Sequence, residues 1–198
     1  MFIPRDPVNE NMFCQYTSTS EAGGAGGFIA YAGAVVYISG PAGNDPANYV
    51  SRSTIVEAVT TSGVEPFGFL EQSIKTGYHA VHPAGYIMDK DFGMSHVVAQ
   101  PTFAANTRTV NGTKATPVAV AHLGIWETTH YFAADTKIDP GAKMYVKGTA
   151  NGKIQVGADG SVGNGTQVAV CMTGVPQVRA AAHDAGTTLW SIRIKLLV

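Results

Sequence analysis

Charge is scarce in this chain. Only 14% of its 198 residues are Asp, Glu, Lys or Arg, and the formal net charge is −1, where an ordinary domain spends about a quarter of its residues on charge. Arg5, Arg52, Arg108, Arg179 and Arg193 are dispersed along the chain. They make no basic stripe of the kind that tracks phosphates, so nucleic acid is excluded as a partner. Cysteine is nearly absent as well. Cys14 and Cys171 stand far apart, a poor framework for a disulfide scaffold, and they read as unpaired thiols made in a reducing cytosol. No apolar run is long enough for a membrane helix. The opening Met1-Phe2-Ile3-Pro4-Arg5-Asp6 has no basic region followed by an apolar one, so it does not read as a secretory signal.

Catalytic vocabulary is equally thin. His79 and His82 have an HxxH spacing, but Pro83 follows, and His96, His122, His130 and His183 are scattered. A metal site needs three or four convergent ligands, and neither a Cys pair nor a carboxylate accompanies these histidines at ligand spacing. Asp89 and Asp91 lie in a polar stretch that suits a solvated loop better than the rigid cleft of a glycosidase. A Gly-x-Ser-x-Gly elbow is missing, and nothing beside either cysteine would lower a thiol pKa. The expectation is a protein that is not an enzyme and carries no cofactor and no metal.

What is present is turn chemistry between short β-rich runs. Asp139-Pro140-Gly141-Ala142 is a turn followed by the strand formers Lys143 to Val146. Asn151-Gly152 is a strong hairpin signal, and Lys153-Ile154-Gln155-Val156 alternates polar with apolar. Asp159-Gly160 and Asn164-Gly165 then precede Thr166 to Val170. Earlier, Phe28 to Tyr31, Val35 to Ile38, Ile55 to Val59 and Val64 to Leu70 read as strands, with Pro66 marking an edge or a bulge. Short strands at Tyr86 to Met88 and Ser95 to Ala99 lead to Pro117 to Leu123. At the end, Trp190, Ile192, Ile194, Leu196 and Val198 share one face of a period-2 run. Only Val178 to Asp184 has helical propensity, stopped at Gly186.

An internal echo crosses these runs. Gly33-Ala34-Val35-Val36-Tyr37-Ile38-Ser39-Gly40 matches Gly141-Ala142-Lys143-Met144-Tyr145-Val146-Lys147-Gly148. It represents either a duplication or two similar strands of one sandwich. The fold class is all-β: a small β-barrel or β-sandwich, with two similar β units as one form of it. Residues 1–27 read as an extended N-terminal arm ending in a Gly-rich linker. Residues 28–198 form the β-rich domain, divisible as 28–115 and 116–198. Phe2, Ile3, Met12, Phe13 and Tyr16 are apolar residues of that arm and candidate contacts to a neighbouring subunit. Trp126 and Tyr131 are candidate interface anchors, with core positions the equal alternative.

The succession Val118 to Ala121, Ile138 to Val146, Gly152 to Val156 and Gly165 to Val170 resembles the head decoration, or cement, proteins of tailed bacteriophages. The likeness covers residues 116–175 and lies in a strand, a Pro-Gly turn with an apolar strand, a Gly-Lys hairpin and a return strand after Gly. It implies a non-catalytic virion protein, made in the host cytoplasm, that binds the outer capsid surface. Its implied partner is the major capsid protein. A homo-oligomer, a trimer first, is the expected state, and no membrane is involved. The alternative class is a β-sandwich binding module for carbohydrate or a cell surface.

Overall fold

A computed structural model describes residues 2–5, 10–17, 28–41, 54–59, 63–71, 73–75, 87–88, 95–98, 109–110, 113–134, 136–147, 152–157 and 162–198. The strands are β1 (Phe2–Pro4), β2 (Glu10–Thr17), β3 (Phe28–Ala30), β4 (Val35–Pro41), β5 (Thr54–Ala58), β6 (Pro66–Leu70) and β7 (Ser73–Lys75). They continue as β8 (Ile87–Met88), β9 (Ser95–Val98), β10 (Thr109–Val110), β11 (Thr113–Leu123), β12 (Ile125–Thr128) and β13 (Tyr131–Phe132). The last four are β14 (Lys143–Val146), β15 (Ile154–Val156), β16 (Ala169–Cys171) and β17 (Ile192–Leu196). One α-helix, α1 (Gln177–Asp184), joins β16 to β17 among the described residues. The protein is mostly β, as its alternating runs and turn pairs require.

Three sheets result, with seven, six and four strands. The six-stranded sheet holds a circuit of pairings. β11 lies antiparallel to β2, with Val120 opposite Met12, and β2 runs parallel to β5, with Tyr16 opposite Val56. Tyr37 of β4 faces Glu57 of β5, and Val35 of β4 faces Phe69 of β6. Leu70 of β6 then meets Val120 of β11, where the circuit began.

The seven-stranded sheet repeats this scheme strand for strand. Trp126 of β12 opposes Ile194 of β17, and β13 runs parallel to β15, with Tyr131 opposite Ile154. Tyr145 of β14 faces Gln155 of β15, and Lys143 of β14 faces Val170 of β16. Cys171 of β16 meets Ile194 of β17. Here β12 and β13 together stand where β2 stands in the first circuit. Between them the His130 N–H donates to Thr128 Oγ1 at 3.0 Å.

The echo in sequence is therefore one motif built twice. Gly33 and Gly141 each carry positive φ, 88° and 84°, at the third position of a turn in which Ala34 bonds back to Tyr31 and Ala142 to Asp139. An L side chain is strained there and glycine is not. Each glycine N–H donates to a carbonyl on the partner strand, Leu70 for one and Cys171 for the other, at 2.7 Å in both copies. Each partner N–H returns a bond to Ala34 or Ala142, at 2.9 Å in both.

A first core cluster joins Cys14, Ala34, Val36, Val56, Leu70, Val118 and Val120 of the first circuit with Ala30 of β3. The second core is larger and crosses between the halves: it unites Phe2, Val35, Val59, Phe69 and Ala121 with Trp126, Met144, Ile154, Ile192 and Ile194. The larger core thus joins the two circuits.

Several sequence expectations change. Residues 2–4 and 10–17 do not form a detachable arm: β1 pairs with β12 and β2 lies between β11 and β5, all within one chain. The expected Gly-rich linker lies outside the described residues. Phe2 is stacked between Trp126 and Phe69, with ring centroids 4.4 and 5.8 Å away. Burial of that much aromatic surface fixes the segment in place. The division at 115/116 falls inside β11; the circuits meet instead at Gly124, between β11 and β12. Pro66 marks a bulge and not an edge, because β6 has β4 on one side and β11 on the other, and the register shifts where Tyr37 opposes Pro66. The terminal strand is shorter than its alternation suggests. Ile192, Ile194 and Leu196 are buried, while Trp190 lies ahead of the strand, half-buried.

Candidate functional site

Where β4 ends and β6 begins, the surface opens into a groove of about 310 Å³. Tyr37 and Ile38 form one wall, and Gly63, Val64, Glu65, Pro66 and Phe67 form the other. Pairing of β4 with β6 shifts register and ends where Tyr37 opposes Pro66, and Ile38, just beyond it, is 49% exposed. Phe67 packs edge-on against His122, centroids 5.9 Å apart. At the rim, the Glu65 carboxylate accepts hydrogen bonds from Asn164 Nδ2 at 2.6 Å and Thr166 Oγ1 at 3.0 Å. Both donors belong to the second circuit, so its turn at residues 163–165 helps shape the groove. The walls can hold an apolar side chain or the flat face of a sugar.

Three exposed apolar residues lie on the connection between β16 and β17: Met172, Val178 and Leu189 are 45%, 84% and 63% exposed. Of the two charged residues between them, Arg179 rests over the Trp190 ring at 4.1 Å, and the Asp184 carboxylate accepts the Ala133 N–H at 2.9 Å. Charges elsewhere also satisfy one another. Glu127 binds Arg5 at 2.7 Å and lies 3.9 Å from Arg193, and Lys137 reaches Asp139 at 3.1 Å. Hydrogen bonding from Ser191, then from Arg5, together with the charges of Arg5 and Arg193, holds the Glu127 carboxyl below its ordinary value despite partial desolvation.

The expected interface residues are dispersed by this architecture. Trp126 and Tyr131 are 2% and 0% exposed and serve the core. Trp126 spends its indole N–H on the Leu123 carbonyl at 2.9 Å, as a buried indole must. Tyr131 stacks on His183 with centroids 3.9 Å apart, and its hydroxyl has no hydrogen-bond partner. Phe2 is likewise core, whereas Ile3 is half-buried on β1. Met12, Phe13 and Tyr16 lie along β2, opposite Val120, Ala119 and Thr116 of β11. The groove residues escaped sequence reading, although Pro66 as a bulge signal pointed to their position.

His79, His82, Asp89 and Asp91 lie outside the described residues. Among the described residues, no group of three His, Cys, Asp or Glu side chains could hold a metal ion, and no helix is long and apolar enough to cross a membrane. Cys14 and Cys171 are both free and buried, and burial pushes both thiols up, Cys14 to about 11. No protein-family model matches the chain, and no curated protein matches it.

Proposed function

We propose that this chain is a non-catalytic structural protein of a phage virion, bound to the outer capsid surface, where it holds the assembled shell together. The observation that carries the reading is the tandem pair of β circuits joined by a common larger core, with apolar residues such as Ile38, Val178 and Leu189 left outside while Glu127 is paired with Arg5 and Lys137 with Asp139. A stiff body with a neutral, apolar surface suits broad contact with another protein. The likeness to decoration proteins falls on β11 to β16, the strands that close the first circuit and start the second. The proposed partner is the major capsid protein, engaged by a homo-oligomer with a trimer as first candidate. Repetition of weak contacts over a symmetric shell then multiplies affinity. Binding the intact shell and not its free subunits stabilises the assembly by mass action.

The test is shell rupture temperature, with and without saturating protein, beside co-sedimentation with empty shells. A raised rupture temperature with co-sedimentation that persists in high salt supports the proposal. Equal rupture temperatures without co-sedimentation refute it. That result would favour a second reading, a carbohydrate-binding module using Tyr37 and Phe67 in the groove. Such a module must lose glycan binding in a Tyr37→Ala variant.

A further inference from the structure

His183, near the C-terminal end of α1, is 4% exposed, and both its ring nitrogens are engaged. Nδ1 lies 3.1 Å from the backbone nitrogen of Trp190, whose N–H donates to it. A nitrogen that accepts an N–H carries no proton, so the hydrogen of the neutral imidazole sits on Nε2. That Nε2–H donates to the Tyr131 carbonyl oxygen at 3.2 Å. One neutral side chain thus fastens α1 to β13 on one side, and the segment ahead of β17 to α1 on the other. Trp190 belongs to neither ladder of β17: pairing with β12 and β16 runs over residues 192–196.

We propose that His183 is an acid-sensitive latch: a proton taken up from solvent at Nδ1 converts the acceptor into a donor facing the Trp190 N–H, and Leu189 and Trp190 come away from α1, while the turn at residues 185–188, bonded to Ala181, Ala182 and His183, stays in place and β17 stays paired. The charged and titratable groups around the imidazole divide. Asp184, next in the chain, and the Tyr131 carbonyl favour the imidazolium, as does the face of the stacked Tyr131 ring; Lys153 disfavours it. Arg179, one turn earlier on α1, is held on the Trp190 ring. Burial outweighs the favourable groups and holds the imidazole below its ordinary value of 6.5. The sign follows: the unfastened state binds the proton more readily, so the latch is shut above the ordinary value and opens as pH falls through the depressed one. Opening would release Trp190 and the exposed Leu189 from the helix, on the same connection that presents Val178.

The experiment is an NMR titration of the full-length, ¹⁵N-labelled protein from about pH 7.5 to about pH 4.5. It follows the His183 ring nitrogens, the Trp190 amide and the amides of Ile192 to Leu196. The expected result is a Trp190 amide that shifts in step with His183, with exchange accelerated at least about tenfold while the β17 amides hold. In a His183→Gln variant the side-chain oxygen can still accept the Trp190 N–H but cannot titrate, and the Trp190 shift should vanish. Three outcomes overturn the proposal: a Trp190 amide indifferent to His183 ionisation, the same Trp190 midpoint in His183→Gln, or simultaneous loss of Trp190 and β17 protection. Should the variant fail to fold, the wild-type titration decides alone.

Discussion

Val35 donates its backbone N–H to the carbonyl oxygen of Gly152 over 2.8 Å, and through that bond Gly152, just ahead of β15, is seated on the start of β4. The contact joins the two circuits backbone to backbone. It leaves no room for a side chain: a Cβ on Gly152 would lie 2.5 Å from the Val35 oxygen, at a φ of +70°. Gly152→Ala should therefore cost at least about 2 kcal/mol, combining left-handed strain with separation of the circuits. Thermal unfolding of the variant reads this directly; a melting temperature equal to the parent's would show that this contact can lift off freely.

Removing the N-terminus should destroy the fold and not merely an attachment. Phe2→Ala empties the space between Trp126 and Phe69, at a cost of about 3 kcal/mol. Deletion of residues 1–20 also takes β2 from between β11 and β5, and the truncated chain should lack a cooperative melt by circular dichroism. A truncated protein that melts like the whole would restore the detachable arm.

Glu127 should make stability fall in acid. Its folded carboxyl titrates below the ordinary 4.5, so its contribution is complete above that value and fades as pH drops through the depressed one. Glu127→Gln should cost about 1 kcal/mol at neutral pH. The difference from wild type should shrink toward zero only as pH falls below the ordinary value and through the depressed one. A gap that stays constant in denaturant titrations carried on until all carboxyls are protonated would count against the Arg5–Glu127–Arg193 cluster as its source.

Both thiols should be silent in the native protein. The thiolate is the reactive species, and burial raises Cys14 to about 11 and Cys171 above its ordinary value. A thiol reagent at neutral pH should find no reactive cysteine in the folded chain and both after unfolding in denaturant. Rapid native labelling would place one of them at the surface.

Local chemistry was legible in the sequence; long-range pairing was not. Asn151-Gly152 and Pro140-Gly141 announced their turns, and α1 begins one residue before the propensity that marked it, at Gln177. The Gly-Ala-x-x-Tyr echo located two equivalent strands, because glycine at positive φ and the Tyr register are local demands. It could not reveal that their neighbours also match, since Val56-Glu57-Ala58 and Ile154-Gln155-Val156 share a register and little wording. Residues Glu10 to Thr17 show no alternation, so nothing local said that β11, far along the chain, would claim them. Trp126 and Tyr131 looked equally suited to core and interface, and only packing could choose.

The order of synthesis carries a cost in this topology. β2 leaves the ribosome well before its antiparallel partner β11, which ends at Leu123, and β1 must wait for β12. Until then, the N-terminal half has unpaired strand edges and an unfinished core. Loop closure over such a separation slows folding, and nascent chains in that condition are prone to stick together. Once β11 and β12 emerge, separated only by Gly124, both early strands acquire their partners almost together. The short link at that glycine is thus the point at which a growing, aggregation-prone polypeptide can become a single cooperative unit.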